Sequence, residues 1–145
     1  MTSDLFTQRG IEFANRRKRL LFVDEDANDL RFLQQVFEGQ GYDVLASETF
    51  ESGAQCLDQG HFDFIVVSQG SHAFEGRRVL ERASALDHRP PVLVLTRSLD
   101  MPCYLEAMQL GAVDYLEKPV HANDLLRIVR GHTQYDRSLP RAGSA

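Results

Sequence analysis

The sequence predicts an α/β fold: five strand–helix units, (βα)5, that build a doubly wound five-stranded parallel sheet. First, five short apolar runs, rich in β-branched residues, alternate with stretches whose apolar residues recur at helical spacing. Second, each apolar run gives way to a polar or charged residue. Third, strands and helices alternate strictly, which favours a parallel sheet covered on both faces through right-handed crossovers.

The first unit is a strand at 19–23 (RLLFV) followed by a helix at 28–39. Its apolar residues recur at helical spacing, at Leu30, Leu33, Val36 and Phe37. Asp26 or Asn28 is suited to cap the start of this helix, and glycine near position 40 is suited to end it.

The second unit is a strand at 42–46 and a helix at 50–59 that ends at Gly60. The third strand, at 62–67 within FDFIVVS, has the composition of a strand buried at the centre of a sheet. A helix at 74–86 follows, with apolar residues facing the sheet.

Pro90 and Pro91 prevent that helix from continuing and prepare the fourth strand. The remaining predicted elements are strands at 92–95 and 113–116 and helices at 101–110 and 122–133. Asp100 is suited to cap the fourth helix, and Gly111 ends it.

Two doubly wound topologies compete for this pattern. Five strands in about 115 residues favour the flavodoxin-like order 2-1-3-4-5. A dinucleotide-binding fold needs G-x-G-x-x-G after the first strand, whereas that turn here is acidic, from Asp24 to Asn28. The same turn lacks the Ser/Thr/Gly phosphate loop of a flavodoxin.

We predict one domain at 18–135, an N-terminal extension at 1–17 and a disordered C-terminal tail at 136–145. The basic run Arg16–Arg19 favours a solvated lead-in to the first strand over a nucleic-acid or membrane patch. We expect no DNA-binding or enzymatic output segment after Tyr135 in this sequence, which fits a stand-alone module or a piece of a longer chain.

The composition narrows the class of partner. The net charge of −5 argues against nucleic acid, because there is no basic surplus to neutralise phosphates. We predict no membrane span and no secretory leader, since neither a long apolar stretch nor an apolar N-terminal segment is present. Cys56 and Cys103 form neither a disulfide framework nor a metal motif. We therefore expect a cytoplasmic protein.

Polar residues that follow the strands are expected to meet at one edge of the sheet, because parallel strands share that edge and open α/β sheets bind ligands there. This set is Asp24, Glu25, Ser68, Thr96 and Lys118. Carboxylate oxygens suit Mg²⁺, and Mg²⁺ with a lysine binds a phosphoryl group. For each residue a plain structural role is the alternative, with Asp24 and Glu25 as helix-start charges and Thr96 as the end of its strand.

Three motifs stand out against this pattern: Leu21 to Asp26 (LFVDED), Leu95–Thr96, and residues 111–119 (GAVDYLEKP). With the (βα)5 pattern, they resemble the receiver domain of two-component response regulators, over about Lys18 to Thr133. Gly76, eight residues after Ser68, also matches a glycine of that family.

The resemblance implies roles for individual residues. Asp24 and Glu25 match the Mg²⁺-binding acidic pair, and Gly70 would offer its carbonyl to the metal. Thr96 matches the hydroxyl that follows the phosphoryl group, Tyr115 the switch aromatic, and Lys118 the phosphate-pairing lysine. The Lys118–Pro119 bond is expected to be cis, as in the family.

Ser68 stands where that family has the aspartate that accepts a phosphoryl group from a histidine kinase. A carboxylate is ionised at pH 7, whereas a serine hydroxyl needs a general base. His72, where the family often has proline, is a second departure. Losing one carboxylate also deletes a metal ligand, so we predict no cofactor or at most weakly bound Mg²⁺, with Lys118 paired to Asp24 or Glu25 instead.

The sequence therefore predicts an atypical receiver-like signalling module, a pseudo-receiver, that is not an enzyme and acts through protein–protein contacts. Its partner would be a histidine kinase, a phosphotransfer protein or an output protein. A homodimer through the fourth helix, fifth strand and fifth helix is also open. Two alternatives remain: phosphotransfer to Ser68 or another residue, and a small hydrolase using Ser68 and His72. The hydrolase lacks a G-x-S-x-G elbow.

Overall fold

The computed structural model describes residues 17–134. The predicted tail, nearly all of the N-terminal extension and residue 135 lie outside this range. Five strands and five helices alternate along the described chain. The strands are β1 (Arg19–Val23), β2 (Asp43–Ser47), β3 (Phe64–Ser68), β4 (Val92–Thr96) and β5 (Asp114–Glu117). The helices are α1 (Ala27–Gly39), α2 (Phe50–Gln59), α3 (Arg77–Ser84), α4 (Met101–Gln109) and α5 (Ala122–Thr133).

All strand pairs are parallel, and the strand order is β2-β1-β3-β4-β5. This confirms the predicted doubly wound sheet and its order. β3 lies at the centre, and all five of its residues are buried, as are those of β4. A strand buried on both faces needs a continuous apolar run, which is what FIVV and VLVL supply.

The sheet divides the core into two apolar layers, because successive side chains of a strand point to opposite faces. On one face, Leu21, Ile65, Val67 and Val94 pack with α2, α3 and α4. On the other face, Leu20, Phe22, Phe64 and Leu93 pack with α1 and α5. Phe37 of α1 meets Phe22 edge-on, with ring centroids 5.1 Å apart.

The helix starts follow from local capping. The Asp26 carboxylate accepts hydrogen bonds from the Asn28 and Asp29 amides and caps α1, so of the two predicted caps Asp26 is the one used. Asp100 caps α4 through the Cys103 amide, as predicted, and Thr49 caps α2. Within residues 17–134, no helix combines the length and apolar character that crossing a bilayer requires.

Several predicted bounds were wrong, most clearly for α3. The predicted helix at 74–86 is only Arg77–Ser84. Phe74 has a φ of 55°, outside the helical region, and its amide bonds the Ser71 carbonyl in a turn. At the other end, the Ser84 hydroxyl donates to the Leu80 and Leu110 carbonyls.

The strand bounds shift by one or two residues. β2 and β5 start one residue later than predicted, since the Tyr42 and Ala112 amides still bond helix carbonyls and Val113 is the link that follows. β3 starts at Phe64, and β3 and β4 extend to Ser68 and Thr96. These extensions place both hydroxyl side chains on the last rung of their strands.

Gly76 is required by a close approach of two backbone segments. A Cβ built at this position would lie 2.0 Å from the Ser68 carbonyl oxygen. Gly70 has a φ of 83°, and a Cβ there would come within 2.8 Å of Glu75. Both glycines therefore shape the loop that connects β3 to α3, which carries Ser68 at its start.

Candidate functional site

The predicted polar residues do converge at the carboxyl edge of the sheet. Asp24 directly follows β1, Ser68 and Thr96 end β3 and β4, and Lys118 directly follows β5. The register places Ser68 beside Leu95 and Thr96 beside Glu117. Each side chain therefore sits at this edge because its strand stops there.

Lys118 is held by two carboxylates at once. Its Nζ lies 2.6 Å from Asp24 Oδ2 and 3.0 Å from Asp29 Oδ2. The other Asp24 oxygen accepts a hydrogen bond of 2.9 Å from the Asp26 amide. Of the two partners that the sequence offered for Lys118, the structure therefore shows Asp24 and not Glu25. Sequence reasoning missed Asp29, whose only signal was its place in the first turn of α1.

In this ion pair, burial and hydrogen bonding shift the pKa of each group in opposite directions. Burial raises the pKa of the Asp24 carboxyl above its ordinary value and outweighs the Lys118 and Asp26 hydrogen bonds, which lower it. Burial alone would lower the pKa of Lys118, but the hydrogen bond and charge of Asp24, with a contribution from Asp29, raise it above its ordinary value. The lysine therefore stays charged, and Asp24 depends on it for a partner.

Ser68 is buried, with 5% of its surface exposed, and its hydroxyl is bonded on both sides. Its Oγ donates to Glu25 Oε1 at 3.2 Å and accepts from the Gly70 amide at 3.2 Å. Glu25 thus turns toward Ser68, while Asp24 turns toward Lys118. The two neighbouring carboxylates therefore accept hydrogen bonds from different partners.

A second ion pair spans the mouth of the site. Arg97, the residue after β4, lies 2.7 Å from Asp26 Oδ2. Bonds from the Asp29 and Asn28 amides, with the Arg97 charge, hold the pKa of Asp26 below its ordinary value. Sequence reasoning missed Arg97, because nothing in its local pattern distinguishes it from a solvated arginine.

Thr96 and Tyr115 lie on β4 and β5, the two strands that follow β3 in the sheet. The Thr96 hydroxyl donates to the Ser98 carbonyl at 2.8 Å, so it is engaged within its own loop. Tyr115 is buried, and its hydroxyl donates to the side-chain carbonyl of Gln69. Burial raises the pKa of Tyr115, although the nearby Thr96 hydroxyl and Asp100 backbone lower it in part.

The loop after Ser68 is tied to α4. His72 Nδ1 is hydrogen-bonded to Asp100, the residue that caps α4, and this bond is the main reason that the pKa of Asp100 lies below its ordinary value. The Cys103 thiol donates to the His72 carbonyl at 3.6 Å. Burial raises the pKa of Cys103 to about 11, so the thiol is inert near neutral pH.

The donor set fits Mg²⁺ poorly. Among residues 17–134, no group of three or more His, Cys, Asp or Glu side chains has the geometry to hold a metal ion. Mg²⁺ demands a near-octahedral shell of oxygens, and one candidate carboxylate, Asp24, is already engaged by Lys118. What remains is Glu25 with the backbone carbonyl of Gly70.

A groove of about 230 Å³ lies beside the Lys118–Asp29 pair. Its lining is mainly apolar and includes Phe32, Leu33, Pro119, Val120 and Leu125. The Lys118–Pro119 bond at its edge is cis, as expected.

Comparison with known proteins identifies the family of this chain. The family model of the response regulator receiver domain matches residues 20–130. The transcriptional regulatory protein ZraR of Escherichia coli strain K12 is 32% identical over 109 residues, which make up 73% of this chain and 24% of ZraR. The chain thus spans about a quarter of the length of that curated relative.

Solved structures show the same fold. A CheY-like response regulator receiver domain protein from Methanospirillum hungatei JF-1 is 26% identical with a TM-score of 0.76, over 81% of this chain and 94% of that one. A Burkholderia pseudomallei response regulator, crystallised with a phosphorylated aspartic acid, calcium ion and citrate, is 22% identical with a TM-score of 0.71. That match covers 81% of this chain and 69% of the other, and shows the fold alone.

Fold and edge together define a doubly wound α/β domain whose acidic, hydroxyl and lysine side chains meet beyond the central strands. The chain belongs to the response regulator receiver domain family. It is therefore a receiver domain of two-component signalling, a class of signalling module.

Proposed function

We propose that this receiver domain is a pseudo-receiver, which does not take a phosphoryl group at Ser68 and acts by binding another signalling protein. The observation that carries the proposal is how the polar side chains at the carboxyl edge of the sheet are paired. These side chains, hereafter the polar edge, are Asp24, Glu25, Ser68, Thr96 and Lys118. A neutral alcohol stands at position 68, and Lys118 is already paired with Asp24 and Asp29.

The chemistry at position 68 supports this function. A carboxylate attacks phosphorus as it stands, whereas a serine hydroxyl must lose a proton to a base. Ser68 is buried, and its oxygen accepts the Gly70 amide, which reduces the electron density available for attack. The product would be an alkyl phosphate ester, which lacks the reactivity of an acyl phosphate and suits a rapidly reversed signal poorly.

The charges of the edge support it as well. Lys118 and Arg97, the cations placed to meet an incoming phosphoryl group, have carboxylate partners within the domain. Binding a phosphoryl group would require breaking the Lys118–Asp24 pair and leaving a buried carboxylate without its cation, which is costly. We propose for the same reason that Mg²⁺ binds weakly or not at all.

The proposed binding surface lies on α4, β5 and α5. Large apolar side chains remain exposed along α4 and at Leu99, two residues before it. They are Leu99, Met101, Tyr104, Leu105 and Met108, hereafter the α4 patch. These are five of the seven exposed large apolar side chains among residues 17–134, and exposed patches of this kind mark interaction sites. The partner would be a histidine kinase, a phosphotransfer protein, an output protein or a second copy of the chain. The cytoplasmic setting stays a prediction.

The test is phosphoryl transfer to the purified protein. We expect no added phosphate by intact mass after incubation with Mg²⁺ and acetyl phosphate, or with a phosphohistidine protein as donor. The reciprocal variant Ser68→Asp restores the carboxylate, and if the rest of the edge is still competent it gains both Mg²⁺ affinity and one phosphate. Stable phosphorylation of the unaltered protein would overturn the proposal.

One observation favours a second candidate, phosphotransfer to the serine itself. Ser68 Oγ donates to Glu25 Oε1, so a general base lies within reach of the hydroxyl. In that case the added phosphate would be seen in the unaltered protein and lost in both Ser68→Ala and Glu25→Gln.

A further inference from the structure

We propose that Gln69 fixes the α4 patch in one arrangement by holding Tyr115 in its buried position, so that no phosphoryl group is needed to set this arrangement. This inference rests on the function proposed above, because it concerns the regulation of the same surface. It is argued from the hydrogen bonds of Gln69, the residue that follows Ser68.

Gln69 is buried, and both its backbone and its side chain are hydrogen-bonded. Only 2% of its surface is exposed. Its amide donates to the Leu95 carbonyl at 2.7 Å, and its carbonyl accepts from Gly76 at 3.1 Å. Its side-chain NH2 donates to the Ser71 carbonyl at 3.1 Å, which leaves the side-chain oxygen aimed at the Tyr115 hydroxyl. The side-chain oxygen of Gln69 is therefore held in position by hydrogen bonds that do not involve Tyr115.

Tyr115 transmits this position to α4. Its ring is 6% exposed and stands edge-on to Tyr104 of α4, with centroids 5.6 Å apart. Tyr104 belongs to the α4 patch, so the buried position of Tyr115 supports one arrangement of the proposed binding surface. The Thr96 hydroxyl and the Asp100 backbone also lie near the Tyr115 hydroxyl. Thr96 donates its own proton to the Ser98 carbonyl, and the Tyr115 hydroxyl donates to Gln69.

Rotating Tyr115 outward would leave the Gln69 oxygen buried without a donor. An unsatisfied buried polar group biases a two-state equilibrium by roughly 5- to 150-fold. The bond therefore shifts the equilibrium toward the inward ring by about this factor, with no phosphoryl group on residue 68. The loop that carries Ser68 sets the surface through a glutamine rather than through a phosphoryl group.

The experiment is amide hydrogen exchange of the full chain without any phosphodonor, comparing wild type with Tyr115→Phe and Gln69→Leu. Tyr115→Phe keeps the ring and the Gln69–Ser71 bond and removes only the hydroxyl. We expect exchange in segment 99–109 to rise at least roughly fivefold in each variant. The double variant should add little to either single one, because both remove the same bond.

Tyr42→Phe is the matched control. Tyr42 is also buried, and its hydroxyl lies 3.1 Å from Thr133 Oγ1, but it packs with α1 and α5 on the other face of the sheet. It should cost similar stability without selective exchange in 99–109. Unchanged exchange there in Tyr115→Phe, or an equal rise in Tyr42→Phe, would overturn the inference. Because no phosphodonor is present, the result is independent of whether Ser68 accepts phosphate.

Discussion

A buried lysine shared by two carboxylates is the residue-scale feature on which the polar edge depends. Lys118 lies between Asp24, which is buried, and Asp29, which is half-exposed. Removing one member of a buried pair leaves an uncompensated charge, which costs far more than an exposed pair contributes. The effect of a substitution here should therefore depend on which partner is left behind.

We expect Lys118→Met to lower the free energy of unfolding by about 3 kcal/mol at pH 7.5, because Asp24 stays buried without its cation. The loss should shrink toward pH 5. A carboxyl whose folded pKa is raised contributes less stability as pH rises through that value, and protonated Asp24 needs no cation. Urea unfolding at both pH values measures this. The double variant Asp24→Asn/Lys118→Met should recover most of the loss, and an equally unstable double variant would contradict the explanation.

The contact between Gly76 and Ser68 allows a second prediction at this scale. Gly76→Ala would place a Cβ 2.0 Å from the Ser68 carbonyl oxygen, so backbone must move. We expect destabilisation of about 3 kcal/mol or more, read from thermal or urea unfolding.

Gly131→Ala is its matched control. Gly131 lies in α5, and a Cβ there meets nothing within 4 Å. Alanine is the better helix former, so this variant should gain about 0.5 to 1 kcal/mol. If Gly76→Ala lowers the free energy of unfolding and Gly131→Ala raises it, the cost of the first change comes from the contact with the Ser68 carbonyl. If both variants change the free energy of unfolding equally, the effect comes from the unfolded chain.

Among the elements, α4 is unusual because apolar side chains lie on both of its faces. Cys103 and Ala107 are buried against the sheet, whereas Met101, Leu105 and Met108 face outward. An ordinary surface helix is polar on its outer face. The outer apolar stripe therefore contributes little to folding and is available for a partner.

We expect Leu105→Gln to leave stability within about 0.5 kcal/mol of wild type, because its side chain is half exposed. Binding through the α4 patch should weaken about tenfold or more. Co-purification from a lysate of the native cells, quantified by mass spectrometry, and sedimentation velocity for self-association measure this. Phe32→Gln, which changes an exposed apolar residue of α1, is the control. If both variants retained the same partners, the patch would not be the binding surface.

For the molecule as a whole, the sequence predicted the fold well because periodicity encodes it. Runs such as VLVL at 92–95 and the helical spacing of Leu30 and Leu33 are local signals that the tertiary structure keeps. Phe74 shows where this fails: its apolar side chain fits a helix, but the turn from Ser71 gives it a positive φ. Strand ends also shifted, since hydrogen bonds to neighbouring segments decide them.

The polar edge was predictable only in part. Parallel strands bring their ends together, so Asp24, Ser68 and Lys118 could be grouped from the sequence. The partners that decide their state could not. Asp29, Arg97 and Gln69 act through side-chain contacts between segments far apart in the chain, and no local pattern specifies those contacts.

A prediction for the whole molecule concerns Mg²⁺. Ligand binding to the folded state raises stability by RT ln(1 + [L]/Kd), so a weak site is nearly silent. We expect 10 mM Mg²⁺ to shift the Tm by less than about 1 °C. Ser68→Asp, with its added carboxylate, should show a larger shift under the same conditions. A clear Mg²⁺-dependent rise in the Tm of the unaltered protein would show that the Lys118–Asp24 pair gives way to the metal.

Lys118 meets both of its charge partners inside the domain, and this has meaning for a cell in which several receivers share one donor. If the domain takes no phosphoryl group at Ser68, as proposed above, it withdraws none from the common supply. Under the same proposal, it would bind a kinase or phosphotransfer protein without removing the phosphoryl group that this protein carries. The strength of its influence would then be set by how many copies the cell makes, so expression level, rather than covalent modification, becomes its control variable.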